Sequence, residues 1–582
     1  MPDRLSGLLP WPASVQQAPG SLDVAAGLAV RPAKPANPAA EQAAAAVAHL
    51  LALVPWPAPA PAPSCTVALD PALGTEAYRL AISPDGVSIT AGGLAGSIYA
   101  AQTIRQLLPA DAWRAAPLGQ PGQPGQPGQP GQPGKSRDAS AWSLPCAEIA
   151  DQPGLSWRGA HLDVARHFAT KREVLTLIDA LAALKLNTLH LHLTDDQGWR
   201  FESRLHPRLH EIGSHRPTSR ISLNREDPPV YDGIPHGGYY TLADLAEIAA
   251  YARQRAMQLV PEIDLPGHST ALLAALPELG AGDPPPGGYE VSPDWGIFPN
   301  LVTPLPQTMS VLRDVLGELI EATGCRFLHI GGDECLLDNW RTDERVEAAR
   351  TSRGLASAEE LHATFLKEIA EMLAAEFGVR AVVWDEGFTS ATPAAGLRRD
   401  TVVMAWRGMA IAQAAAAAGH DVVAAPVLPL YFDYFQERGD DEPVAIGGPV
   451  RLDDVASFAP VPADWPEAER AGMIGTQFQV WTEYIPDGRA LEYMIFPRAC
   501  AFADMAWSGG PVPLAAEGAR PGLRERIAVH LGRLDAAGIE YRPLDGPRPW
   551  QSGGDGPRRH RQGYAVAEVA EHLTHLAAAE GS

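Results

Sequence analysis

The apolar positions along this chain change rhythm at Trp157, and that change divides it. Before it, the chain from Pro32 to Pro63 is rich in Ala and Pro, which predicts a helix over Ala40–Leu53 followed by the Pro-rich loop Pro55–Pro63. Cys65–Asp70 and Glu76–Ile82 read as strands. Ser83-Pro84-Asp85-Gly86 supplies a turn in which Pro presets φ and Gly accepts φ > 0, and Val87–Ala91 returns as the hairpin partner. Ile98, Ile104, Leu107 and Leu108 then recur at helical spacing until Pro109 stops them. Together these predict a small α+β domain. Gly119–Gly134 follows, five Gly-Gln-Pro triplets with the period of collagen. Five triplets cannot sustain a triple helix, so the tract reads as a flexible linker or loop insertion.

From Trp157 the pattern is strand, loop, helix, repeated. Trp157–Asp163 is a strand. Thr170-Lys171-Arg172-Glu173 is a capping box, and Val174, Leu177, Ile178, Leu181 and Leu184 share one helical face. Strand Thr188–Leu193 comes next, then helix Leu242–Arg255 with strand Gln258–Ile263, and helix Met309–Ala322 with strand Phe327–Ile330. Helix Glu359–Phe377 precedes strand Ala381–Trp384. Strands Val402–Ala405, Asp421–Ala424 and Gly472–Val480 complete the series. Eight strands alternating with helices predict an α/β fold, a (β/α)8 TIM barrel preceded by a small α+β accessory domain. The expected division is residues 1–152 for the accessory domain with its loop at 119–134, 153–512 for the barrel, and 513–582 for C-terminal helices and tail. In that last part Leu523, Ile527, Leu531 and Leu534 mark a helix against the barrel. Gln551–Gln562 reads as a mobile polar stretch, and Ala565–Ala579 as a last helix.

Composition narrows the function. With 46% hydrophobic and 20% charged residues the chain is that of an ordinary soluble globular protein, and its formal charge is 46 − 69 = −23. That balance argues against nucleic acid or an anionic membrane as partner and for a small or neutral substrate; it is silent on oligomeric state. The five cysteines are scattered without CxxC spacing, which suggests neither a disulfide framework nor a zinc site. Met1–Gly20 lacks a basic start followed by an apolar run, and no run of about 18 apolar residues occurs, so a cytoplasmic location is expected, with secretion by another route left open.

The polar residues gather after the strands, where a barrel builds its site. Asp163, Arg166 and His167 follow the first strand, Thr194, Asp195, Asp196 and Trp199 the second, and Pro261 to His268 the third. Arg326-Phe327-Leu328-His329-Ile330-Gly331-Gly332-Asp333-Glu334 joins a buried-strand pattern to two glycines and two adjacent carboxylates. Trp384-Asp385-Glu386, Trp406-Arg407, Tyr431 with Asp433, and Trp481-Thr482-Glu483 end the others. Tryptophan walls and hydroxyl-binding Arg, Asp and Glu suit sugar hydrolysis. No phosphate-cradling glycine loop or dinucleotide fingerprint occurs, so no cofactor is expected. His190-Leu191-His192 with His268 offers a rival metal-hydrolase reading. Both histidines, however, lie within the strand, which favours packed interior groups, and no metal site is expected.

These motifs together resemble the family 20 glycoside hydrolases, the β-N-acetylhexosaminidases. The resemblance rests on Leu162–Phe168, His192–Arg200, Pro261–His268, His329–Glu334, Trp384–Glu386 and Trp481–Tyr484, and covers about Ser64 to Arg542. It implies exo-acting, retaining hydrolysis of terminal β-linked N-acetylglucosamine or N-acetylgalactosamine from a small oligosaccharide or glycoconjugate, with the substrate's own 2-acetamido oxygen as nucleophile. Glu334 is then the general acid and later the base, Asp333 orients the acetamido N–H, and Tyr431 bonds its oxygen. Trp384, Trp406 and Trp481 enclose the acetyl methyl, and Arg166, Asp433 and Glu483 hold the ring hydroxyls. Asp195 and His268 tune Glu334. Adjacent residues cannot flank a sugar ring as acid and nucleophile about 5 Å apart, which suits substrate assistance. Two alternatives stay open at this level: a catalytically dead sugar-binding barrel, and a barrel hydrolase with acid and nucleophile on different strands. Sugar configuration, transglycosylation and the number of sugars released are equally open.

Overall fold

A computed structural model describes residues 4–35, 37–58, 61–114, 142–389 and 396–551, together with residues 564, 565, 569 and 573. The Gly-Gln-Pro tract lies outside the described residues, as do all of Gln551–Gln562 after Gln551 and most of Ala565–Ala579. Ala565, expected to open a helix, instead pairs in a strand with Gly448.

The first body is a six-stranded mixed sheet in the order Ser14–Asp23, Ser143–Asp151, Tyr78–Ser83, Gly86–Ala91, Ser64–Leu69, Ala29–Pro32. Helices Pro38–Ala52 and Leu94–Leu107 complete it, the first capped by Asn37 accepting from the Ala40 N–H. Gly86 is required twice over at the predicted hairpin turn: its φ is +148°, and a Cβ would lie 2.6 Å from the Ser64 carbonyl. Strands Ser14–Asp23, Ala29–Pro32 and Ser143–Asp151 are absent from the sequence reading. The first sits at the sheet edge with mostly exposed side chains, so no apolar alternation marks it.

The second body is a closed barrel of eight parallel strands: Trp157–Asp163, Thr188–His192, Gln258–Leu265, Phe327–Gly331, Arg380–Trp384, Val402–Ala405, Val422–Ala424 and Met473–Phe478. The eighth closes on the first through Gly475 beside Trp157. Here a glycine is unavoidable, because a Cβ on Gly475 would meet the Trp157 carbonyl oxygen at 2.0 Å. The strands are buried on both faces, which is why they read as continuous apolar runs rather than alternating ones. The first outer helix begins at the predicted capping box, where Thr170 and Glu173 bond reciprocally; Thr241 and Asp244 do the same, unpredicted, at the helix Leu242–Arg253. The helix expected to reach Phe377 is α-helical from Ala358 to Met372. A π-turn over Leu373–Phe377 finishes it, closed by Gly378 in the left-handed region.

After the eighth strand, helices Gly488–Ile495, Arg498–Ser508 and Leu523–Ala537 pack on the barrel. Two apolar cores result, one per body, and Trp507 of the helix Arg498–Ser508 belongs to the core of the sheet body. Among the described residues no helix is long and apolar enough to cross a membrane.

Candidate active site

The fourth barrel strand ends in a backbone only glycine tolerates. Gly331 and Gly332 have φ of +67° and +106°, and a Cβ on Gly331 would fall 1.6 Å from Asp264 Oδ1. Glu334 itself is left-handed at φ +51°, as is His268 at +48° after the third strand. A non-glycine residue there costs about 1–2 kcal/mol, so the surrounding packing must impose the conformation. The effect is to turn two consecutive carboxylates into one cavity of about 670 Å³.

A chain of buried charges reaches Glu334 from below. Its Oε2 lies 3.4 Å from His268 Nε2, and His268 Nδ1 lies 3.2 Å from both Asp195 Oδ1 and Asp196 Oδ2. Asp195 Oδ2 receives Arg166 Nη2 at 2.7 Å and faces His192 Nε2 at 2.9 Å. Burial works against charge on Asp195, yet Arg166 and then His268 hold its carboxyl well below the usual range. Burial likewise pulls His268 down, but Asp195 foremost among its acidic neighbours outweighs it and holds the imidazole well above its ordinary value. His268 is therefore a cation at neutral pH, directed at Glu334.

Glu262 is the hub beneath. His192 Nδ1 reaches its Oε2 at 2.5 Å and His190 Nε2 the same oxygen at 3.0 Å. His329 Nδ1 lies 2.8 Å from its Oε1, to which the Trp384 indole N–H donates at 2.9 Å. His190 and His192 thus both serve a carboxylate in the barrel interior, and through Glu262 that cluster also orients a cavity tryptophan. Among the described residues, Asp264, His268 and Asp333 bring one ligating atom each within 4.8 Å of one another. His161 with His190 and Glu262, His192 with Glu262 and Asp264, and Asp195 with Asp196 and His268 do the same. These are the residues with the chemistry to hold a cation, and every one belongs to this network or stacks on it.

Asp333 sits among acids. Burial first, then Asp264, pushes its carboxyl well above the ordinary range. Burial and then Glu262 likewise push Asp264 up to about 7, with His268 opposing. Neither Asp264 oxygen, nor Asp333 Oδ1, has a hydrogen-bond partner among the described residues. Opposite, Trp384, Trp481, Tyr431 and Trp406 form an aromatic arc. Trp384 and Trp481 centroids are 6.0 Å apart, Tyr431 and Trp481 6.3 Å, and Trp406 stacks on Tyr431 at 6.4 Å. The Trp406 indole donates to Glu386 at 2.8 Å, which fixes its plane. The Arg166 guanidinium lies 5.1 Å over Trp481, with Nη1 at 3.2 Å from Asp163 and 3.9 Å from Glu483. Burial raises Glu483, and burial with Glu483 nearby raises Asp433 well above its ordinary value.

All eleven residues singled out in the sequence line this one cavity: Glu334, Asp333, Tyr431, Arg166, Asp195, His268, Trp384, Trp406, Asp433, Trp481 and Glu483. Asp264, Asn224, Arg225, Ile446, Val569 and Leu573 line it as well and were missed. Asp264 stands inside the Pro261–His268 motif, but a lone Asp there carries no signal of its own that it faces the cavity.

The chain was compared with known proteins. The profile of "Glycosyl hydrolase family 20, catalytic domain" matches residues 155–510, and that of its domain 2 matches residues 5–152. A beta-hexosaminidase of Porphyromonas gingivalis is 33% identical over 484 residues, covering 83% of this chain and 56% of that protein. The chain thus spans little more than half of that relative. A beta-N-acetylhexosaminidase of Cellulomonas fimi is 33% identical over 75% of each chain. The solved exo beta-N-acetylglucosaminidase of Vibrio harveyi, in complex with N-acetylglucosamine, superposes with a TM-score of 0.73 at 28% identity. That match covers 94% of this chain and 79% of the other.

Proposed function

The chain belongs to glycosyl hydrolase family 20, and on that premise we propose that it is an exo-acting β-N-acetylhexosaminidase. It removes a terminal β-linked N-acetylglucosamine or N-acetylgalactosamine with retention, the substrate's acetamide acting as nucleophile. The observation that carries this reading is the Asp333-Glu334 pair: consecutive carboxylates after two positive-φ glycines, the second itself left-handed, facing one cavity lined by indoles.

The division of labour follows from the environments. Glu334 is the acid that protonates the departing oxygen and then the base that activates water. His268, anchored by Asp195, lies beside it and fixes the direction of its carboxyl. Burial and Asp264 hold the Asp333 carboxyl well above the ordinary range. It orients the N–H of a 2-acetamido group beside it, and its negative charge counts most where positive charge grows on that group. In the transition state that charge lowers the barrier. Tyr431 holds the acetamide oxygen toward the anomeric carbon, and Trp384, Trp406 and Trp481 pack the acetyl methyl. An intramolecular nucleophile so held removes much of the entropic barrier. Arg166, Asp433 and Glu483 take the ring hydroxyls.

The test is release of p-nitrophenol from its β-N-acetylglucosaminide and from the plain β-glucoside, with the Glu334→Gln protein alongside. The acetamido substrate alone is cleaved, and Glu334→Gln lowers the rate about 10²–10⁴-fold. Equal cleavage of both glycosides means a protein nucleophile and ends the substrate-assisted reading. A Glu334→Gln protein of undiminished rate ends the assignment of the acid.

A further inference from the structure

The floor of the cavity is the carboxylates, indoles and Arg166 at the strand ends. Beyond it the lining is mixed, with Asn224, Arg225 and Ile297 from loops after the second and third strands, and the aliphatic Val427 and Ile446 after the seventh strand together with Val569 and Leu573 near the C-terminus. The chain just before these last two is tied to the barrel independently, since Tyr564–Ala565 pair as a parallel strand with Gly447–Gly448, immediately after Ile446. Val569 and Leu573 also pack, partly buried, against the barrel core. The family profiles end at residue 510, so the family match does not account for Val569 and Leu573.

We propose that Val569 and Leu573 are specificity-determining residues of the substrate cavity and bind the apolar part of the leaving group. The inference rests on the exo-acting reading above. A terminal sugar that is held by all its hydroxyls and its acetamide leaves one substituent to project from the floor, the group on its anomeric oxygen. Four aliphatic side chains offer that group no hydrogen bond and a dry surface, which suits alkyl or aryl aglycones better than a second hydrated sugar.

The experiment compares release of N-acetylglucosamine from its methyl and octyl β-glycosides. The proteins are wild type, the Val569→Ser/Leu573→Ser double variant, and a chain ended after Gln562. Both substrates are read on the same preparation, so their kcat/KM ratio cancels any loss of folded enzyme. The octyl-to-methyl ratio falls roughly tenfold in both variants, through KM, as about two buried apolar groups are lost to the ligand. A double-variant ratio within about twofold of wild type, too small for a buried apolar contact, overturns the proposal. If wild type cleaves both glycosides and only the variants' ratio is unmoved, the tail assignment alone fails. If wild type cleaves neither, the hexosaminidase reading fails and this inference with it.

Discussion

Asp264 is the residue whose surroundings say most about this site. It is a buried carboxyl whose two oxygens lack hydrogen-bond partners among the described residues, packed so closely that the glycine at 331 cannot carry a Cβ. Its folded-state pKa of about 7 is raised over the ordinary 3.8, so the native state binds the proton more tightly than the unfolded chain does. The stability this contributes is complete below about pH 4 and is lost as pH rises through about 7, up to about 4 kcal/mol over three units. Asp264→Asn is expected to flatten the fall in unfolding free energy between pH 4 and 7, followed by urea denaturation across that window. An unchanged slope would mean Asp264 is ionised throughout. Asp333 and Glu334 were legible in the sequence because two acids stood after two glycines. Asp264 was not, since a lone Asp in a strand motif looks the same whether it meets solvent, a cation or a second acid. Only the distance to Asp333, set by two different strands, makes it part of the site.

Secondary elements explain why Tyr431 and Asp433 stay in place on a loop. Arg498, the first residue of helix Arg498–Ser508, is fully buried, and its guanidinium donates to four carbonyls. Nη2 reaches Phe432 at 2.6 Å and Met494 at 2.7 Å, and Nη1 reaches Tyr434 at 2.9 Å and Val450 at 3.1 Å. Two of those carbonyls bracket Asp433. Burial lowers this guanidinium to about 9, which still leaves it charged at neutral pH. Arg498→Met removes every donor, and since each stranded buried acceptor costs about 1–3 kcal/mol, a loss of at least about 3 kcal/mol is expected in urea unfolding. The folded fraction should also lose about tenfold to a hundredfold in kcat/KM on the acetamido substrate, the effect of a misplaced positioning group. Lower stability with kcat/KM intact would mean the loop holds itself. The barrel strands were readable because burial on both faces leaves them no polar alternation to confuse. The edge strand Ser14–Asp23 escaped for the opposite reason, exposed side chains and a pairing partner some 130 residues away. An arginine serving four carbonyls is invisible until the chain has folded around it.

At the scale of the molecule, the sheet body and the barrel are joined by charges rather than by a linker alone. Asp151 ends the last strand of the sheet. Its Oδ2 takes Lys185 Nζ at 2.8 Å and the Tyr78 hydroxyl at 2.8 Å, and its Oδ1 takes the Trp507 indole at 2.8 Å. Lys185 follows the first barrel helix, Tyr78 lies in the sheet, and Trp507 lies in a barrel helix, so one carboxylate gathers three elements from both bodies. Arg158 of the first barrel strand adds a bond to Glu76 at 2.7 Å. This junction leaves no pattern in the sequence, because the residues that join the bodies are single polar side chains far apart in the chain. Removing Asp151 strands a buried ammonium, which costs about 3–5 kcal/mol, whereas replacing the pair by apolar groups is often neutral. Asp151→Ala is therefore expected to lower the unfolding free energy by about 3–5 kcal/mol, and Lys185→Met on that background to recover much of it. Urea unfolding followed by tryptophan fluorescence reads both, and because the bodies share Trp507 it should show one transition. Two resolved transitions in the wild type would mean the bodies unfold independently and the buried pair is a local feature. Lys185 precedes the second barrel strand, at the face opposite the Glu334 cavity, where a barrel keeps stability rather than chemistry. The same variants should therefore leave kcat on the acetamido substrate within about twofold of wild type at temperatures where they remain folded, which separates what holds this molecule together from what it does.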